Sequence, residues 1–125
     1  MYRSKRSPPS RRLSSICKER VYALLLDNML RVISCRELGS GSLDGVSMNI
    51  RSVVELVVNY RASRIVLAHN HPHGSIEPSH EDYTSTDMLS KALGSFGVYV
   101  LDHIIVSGTE SGSIYKCNRD YRKIV

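Results

Sequence analysis

The sequence predicts an α/β layer structure built on a mixed β-sheet. Short apolar runs rich in β-branched residues, Val21 to Leu26, Ile65 to Ala68 and Val98 to Val106, read as strands. Between them lie two stretches whose apolar residues recur at helical spacing, Ile50 to Tyr60 and Tyr83 to Phe96. The first two strands are close enough for a hairpin, whereas the later ones need crossovers, so antiparallel and parallel pairs should share one sheet.

Val21 to Leu26 is nearly continuous in apolar character, the mark of a central strand covered on both faces. Asp27-Asn28 supplies turn chemistry, and Leu30 to Leu38 returns as a second strand, with Val32 and Ser34 on one side and Ile33 and Cys35 on the other. Gly39-Ser40-Gly41-Ser42 punctuates, and Leu43 to Met48 leads to a helix beginning near Asn49 or Ile50. There Ile50, Val53, Val54, Val57, Val58 and Tyr60 form one wide apolar stripe, and β-branching makes the helix dependent on packing against the sheet. Ile65 to Ala68 is a buried strand that carries the chain to His69. Tyr83, Met88, Leu89, Ala92, Leu93 and Phe96 give a second amphipathic helix ending near Gly94 or Gly97, with Met88 and Phe96 expected in the core. Val98 to Val106 is a long strand, and Ile114 to Cys117 a short last one after a turn from Gly108 to Gly112.

With 125 residues the chain has room for one core. Its net charge of +5 resides entirely in Arg3, Lys5, Arg6, Arg11 and Arg12, since from Leu13 onward basic and acidic residues balance at 12 each. The body therefore offers no broad electrostatic footprint for DNA. Residues 1–15 read as a basic flexible tail, either a solvated linker or a weak contact for nucleic acid, and residues 16–125 as the folded domain. Cys17, Cys35 and Cys117 show no Cys-x-x-Cys spacing and read as small structural hydrophobes; with no long apolar run for a membrane, the expected compartment is a reducing cytoplasm.

The chemistry concentrates between His69 and Asp82. Alternate side chains of an extended segment share a face, so His69 and His71 project the same way, about 7 Å apart along the backbone, with Asn70 on the other side. Pro72 ends the strand and Gly74 tolerates positive φ, so the chain should turn back over the strand's end. Ser79-x-x-Asp82 resembles a capping box, which places a carboxylate near both imidazoles. Two imidazoles and one carboxylate suit a borderline ion such as Zn²⁺ and leave a fourth tetrahedral position for water. Each half has an ordinary reading too: histidines are common in loops, and Ser79 and Asp82 cap a helix with or without metal.

The joint pattern, His69-x-His71-Pro72 followed by Pro78 and Ser79-x-x-Asp82 between a strand and a helix start, resembles the JAMM motif of JAB/MPN metalloprotease domains. Ala68-His69-Asn70-His71-Pro72 with Gly74, Pro78-Ser79 and Glu81-Asp82 is similar to the bacterial RadC-like branch, and Leu101 to Val106 looks like its next strand. Glu19, eight residues before Asp27, matches the family's glutamate ahead of its first long strand, so the resemblance runs from Glu19 to Ile114. It implies a three-layer fold related to that of cytidine deaminases. Because RadC-like proteins usually carry a helix-hairpin-helix module ahead of this domain, the chain is expected to be the JAB domain alone.

The resemblance further implies a zinc-dependent peptidase or isopeptidase. His69, His71 and Asp82 would hold Zn²⁺, Glu19 would act as general base, and Ser79 would stabilise the oxyanion. A peptide or protein is then the substrate. Glu19, between Lys18 and Arg20, also suits a solvated surface position, and Glu37 and Glu55 are rivals that miss the family spacing. Ser79 can be a cap alone. His103 is either a packed, hydrogen-bonded histidine or a partner behind a ligand, while His73 and His80 belong to the exposed loop. The family's DNA-repair label gives the alternative, a non-catalytic module recruiting protein or DNA partners in repair or replication. Zinc-dependent deamination needs His-x-Glu and Pro-Cys-x-x-Cys, and the chain has neither.

Overall fold

The computed structural model describes residues 19–40, 49–72 and 74–117. The expected tail of residues 1–15, Cys17, the segment 43–48 and His73 lie outside the described residues. In order the elements are β1 (Arg20–Leu26), β2 (Val32–Ser40), α1 (Ile50–Tyr60), β3 (Arg64–Asn70), α2 (His80–Gly94), β4 (Tyr99–Ser107), β5 (Glu110–Ser113) and α3 (Ile114–Cys117). The strands form one mixed sheet in the order β2-β1-β3-β4-β5, with β3 and β4 parallel and the other neighbours antiparallel. The α/β class and the opening hairpin are as the sequence predicts. Asp27 makes that hairpin: its carboxylate accepts the backbone N–H groups of Met29 and Arg31 at 2.8 and 2.9 Å.

Two helices cover one face of the sheet. Ala23 and Leu25 of β1, Ile65 and Leu67 of β3 and Val100 of β4 pack against Val53 and Val57 of α1 and Leu89 and Leu93 of α2, with Ile114 and Tyr115 closing one end. Asn49 caps α1 and Ser79 caps α2, both close to the positions the sequence marks. On the opposite face Tyr22, Leu24, Val66 and Ala68 are half-buried and Tyr99 and Leu101 are exposed. β1 therefore alternates rather than being buried on both sides by the described residues, and the middle of the sheet is β3.

Other expectations change for reasons of geometry. Ile114 to Cys117 is a helical turn and not a strand, because the chain reverses over Gly108-Thr109, where Gly108 takes a φ of 62°, and the last strand is already complete by Ser113. There the Ser113 hydroxyl donates to Asp102 Oδ2 at 2.5 Å, and Tyr115 swings inward to donate its own hydroxyl to the Val100 carbonyl at 3.0 Å. Met88 and Phe96 are 55% and 59% exposed: Met88 sits one step round α2 from buried Leu89, and Phe96 lies in the turn beyond its end. Val58 also faces outward, narrowing the stripe of α1. Val32 is exposed on the edge strand, whose Leu38 end meets the core, and Cys35 is exposed rather than packed inside; the Cys117 side chain lies outside the described residues. No helix among the described residues is long and apolar enough to cross a membrane.

Candidate metal centre

Strand register brings the first three polar groups together. β1 and β3 pair antiparallel with Val21 opposite His69. One step further the Arg20 N–H donates to the buried Asn70 Oδ1 at 2.7 Å, which holds the strand ends together and brings Glu19 level with His71. Along β3 the alternation that buries Ile65 and Leu67 continues through His69, so both imidazoles lie on the helix-covered face. The His71 N–H is tied to the Val106 carbonyl of β4 at 2.8 Å. Gly74 corrects an expectation: its φ is not positive, and a Cβ there would meet His71 Cβ at an ordinary 3.7 Å. What it contributes is a carbonyl that accepts the Ser107 hydroxyl at 2.6 Å.

The fourth group arrives on α2. Ser79 Oγ accepts the Asp82 N–H at 3.1 Å while Asp82 Oδ2 accepts the Ser79 N–H at 2.8 Å, a reciprocal capping box that fixes the carboxylate's orientation. Asp82 Oδ1 then lies 3.3 Å from His69 Nε2, and Asp82 Oδ2 lies 3.2 Å from His71 Nε2. One ligand atom from each of His69, His71 and Asp82 falls within 4.8 Å of the others, close enough to share one ion. Glu19 Oε1 stands 4.0 Å from His69 Nε2. On their far sides, His71 Nδ1 contacts the Ser75 carbonyl at 2.9 Å and His69 Nδ1 contacts His103 Nε2 at 2.7 Å. Both imidazoles thus turn Nε2 toward the carboxylate.

Electrostatics follow from burial and neighbours. Burial pushes His69 down to about 4, against the pull of Asp82. His103 is lowered further, to about 3, by its own burial and by His69. His71 is raised, chiefly by its hydrogen bond to Asp82. For Asp82 burial works upward, yet the His71 hydrogen bond, the charge of His69 and the Ser79 N–H outweigh it and hold the carboxyl well below its ordinary range. Glu19 is raised, mainly by burial, with His71 opposing. The donor set, two imidazole nitrogens and carboxylate oxygen beside a second carboxylate, fits a divalent cation by its chemistry as well as by its spacing.

His69, His71, Asp82, Glu19 and Ser79 are therefore gathered in one place. The rivals are not: Glu37 faces Arg20 at 3.5 Å on β2, and Glu55 faces Arg51 at 3.6 Å on α1, both away from the cluster. His80 is exposed at the start of α2 and takes no part. His103 fulfils both of its expected descriptions, being buried, hydrogen-bonded and in contact with a ligand. Asn70 and Thr86 are additions. Thr86 follows Asp82 by four residues, one helical turn along the same face, and that spacing was its only trace in the sequence.

The family model that matches the chain is the RadC-like JAB domain, over residues 7–119. Among the relatives, a UPF0758 protein of Vibrio vulnificus (strain YJ016) is 42% identical over 102 residues, covering 78% of this chain and 46% of that protein. A UPF0758 protein of Shewanella loihica is 41% identical over 100 residues (80% and 44%), and one of Nitrosococcus oceani 43% over 88 residues (70% and 39%). The chain thus spans less than half the length of these relatives.

Proposed function

The chain belongs to the RadC-like JAB domain family, and from that premise we propose that it is a zinc-dependent hydrolase that cuts an amide or isopeptide bond in a peptide or protein. The observation that carries this is the convergence of His69 Nε2, His71 Nε2 and the Asp82 carboxylate, with Glu19 Oε1 standing 4.0 Å from His69 Nε2. A cation held by those three residues would polarise the scissile carbonyl and acidify water at neutral pH.

The protein's own groups supply the rest. Glu19 is raised by burial yet stays close to the ligands, so its carboxylate can take a proton from the attacking water and return it to the departing amine nitrogen as the C–N bond breaks. Asp82 stays ionised and acts as a ligand. Ser79 Oγ accepts the Asp82 N–H and keeps its own proton free to donate to the oxyanion, so capping and catalysis coexist in one hydroxyl.

A pool of peptides and lysine-linked isopeptides, incubated with zinc-loaded chain and read by mass spectrometry, tests the proposal. Cleavage by the wild type that Glu19→Gln abolishes while retaining the metal supports it. Equal cleavage by both would remove Glu19 as the base. A zinc-loaded chain that cleaves nothing would point to the alternative of a non-catalytic module for repair partners.

A further inference from the structure

Behind the ligands, on the side away from the candidate ion, lie two polar side chains that hydrolysis does not use. His103 on β4 is 2% exposed and Thr86 on α2 is fully buried. They form a continuous chain of contacts: His69 Nδ1 to His103 Nε2 at 2.7 Å, His103 Nδ1 to Thr86 Oγ1 at 2.6 Å, and Thr86 Oγ1 to the Asp82 backbone carbonyl at 2.7 Å. The chain begins at one candidate ligand and ends on the backbone of another.

The direction of every bond is dictated from the far end. A carbonyl oxygen only accepts, so the Thr86 hydroxyl must give its single proton to Asp82. Oγ1 must then accept from His103, which puts the proton of that imidazole on Nδ1. A neutral imidazole carries one N–H, so His103 Nε2 is the acceptor and His69 Nδ1 must be the donor. His69 is left with a lone pair on Nε2, the atom that lies 3.3 Å from Asp82 Oδ1. A cationic His103 would donate from both nitrogens, but that charge would be sealed beside a second imidazole in an almost waterless place. His71 Nδ1 also faces an acceptor, the Ser75 carbonyl, so that nitrogen carries a proton too.

We infer that Thr86 and His103 are positioning residues that lock His69 as the Nδ1-protonated tautomer, reserve its Nε2 lone pair for a divalent cation, and tie the sheet-borne ligand to the helix carrying Asp82. The inference rests on the metal-site reading above and adds to it what orients one ligand. Thr86→Val leaves shape and burial nearly unchanged but removes the acceptor for His103 Nδ1–H. His103 then shifts its proton to Nε2, donates to His69 Nδ1 and drives the His69 proton onto Nε2, the wrong atom for a ligand. Loss of such an outer partner weakens metal affinity by roughly 10–100-fold.

Long-range ¹H–¹⁵N correlation spectra of the metal-free chain at neutral pH assign the protonated nitrogen of each imidazole, and zinc affinity is measured by competition with a chromophoric chelator. Expected is a wild-type His69 protonated at Nδ1, a Thr86→Val variant with that proton moved wholly or partly to Nε2 and zinc bound roughly 10–100-fold more weakly, and a Thr86→Ser variant restoring both. Wild-type His69 protonated at Nε2 overturns the inference without any variant. So does a Thr86→Val chain whose tautomer and affinity are unchanged, and in either case zinc binding by the wild type leaves the metal site standing. A wild type that binds no zinc removes the site and this inference together.

Discussion

Acidifying the metal-free protein from pH 6.5 to 5.5 should destabilise it by about 2 kcal/mol through two side chains, His69 and His103. Both are buried, and both have folded-state pKa values far below the 6.5 of an unfolded histidine, at about 4 and about 3. Their contribution is thus present above pH 6.5 and lost as pH falls toward the folded values, because the unfolded chain takes up protons that the folded chain refuses. For a group with an unfolded pKa of 6.5 that stays neutral when folded, this one-unit drop costs about 1 kcal/mol, hence about 2 for the pair. His71 and Glu19 are raised, so both act oppositely: the stabilisation from His71 is complete below 6.5 and fades as pH rises through its folded value, and the penalty for a buried Glu19 charge shrinks as pH falls toward its raised value, each returning part of the loss. Asp82 is depressed from 3.8 and costs stability only at lower pH. Urea titrations in chelator, followed by circular dichroism, convert the net difference into a midpoint lower at pH 5.5 by up to about 1 M, given a slope of roughly 2 kcal/mol per molar. A midpoint that stays level or rises would show that the imidazoles are not held neutral in the fold, and the ligand geometry built on them would fall with it.

Two further outcomes follow from the site. Glu19→Gln should raise the stability of the metal-free chain at neutral pH, since the glutamate's raised pKa means that its charge is tolerated less well folded than unfolded; thermal melts at pH 7.5 and pH 4 should differ between wild type and variant only at the higher value. Ser79→Ala removes the acceptor for the Asp82 N–H and should cost about 1 kcal/mol as a lost cap. If Ser79 also serves the oxyanion, turnover of any identified substrate falls by a further 10²–10³, and a loss confined to stability would leave it a cap alone.

Much of the fold was legible because it rests on local signals. The β-branched runs gave β1, β3 and β4 to within a residue or two, and Asn49 and Ser79 marked helix starts because capping is decided by three or four neighbouring residues. What lay beyond reach was decided by pairing. Ile114 and Tyr115 have strand-forming side chains, yet the hairpin closed early at Gly108 left them past the end of the ladder, where helical turns bury them. Exposure of Val32 reflects its place on an edge strand, a property of sheet order and not of the residue. The same division runs through the site. His69, His71, Ser79 and Asp82 are read from spacing within one loop, and Glu19 from a family pattern whose physical basis, Val21 lying opposite His69, is a long-range register. Thr86 was hidden because nothing in a helix announces which of its polar residues will meet an imidazole from a strand 17 residues away.

The account depends on one cation shared by His69, His71 and Asp82, and metal analysis of the purified chain tests it most directly. After equilibration with zinc and removal of the unbound excess, wild type should retain about one zinc per chain and His69→Ala and Asp82→Ala almost none, with circular dichroism confirming that each variant is folded. A folded wild type that retains no zinc, or two folded variants that retain as much as wild type, would contradict it.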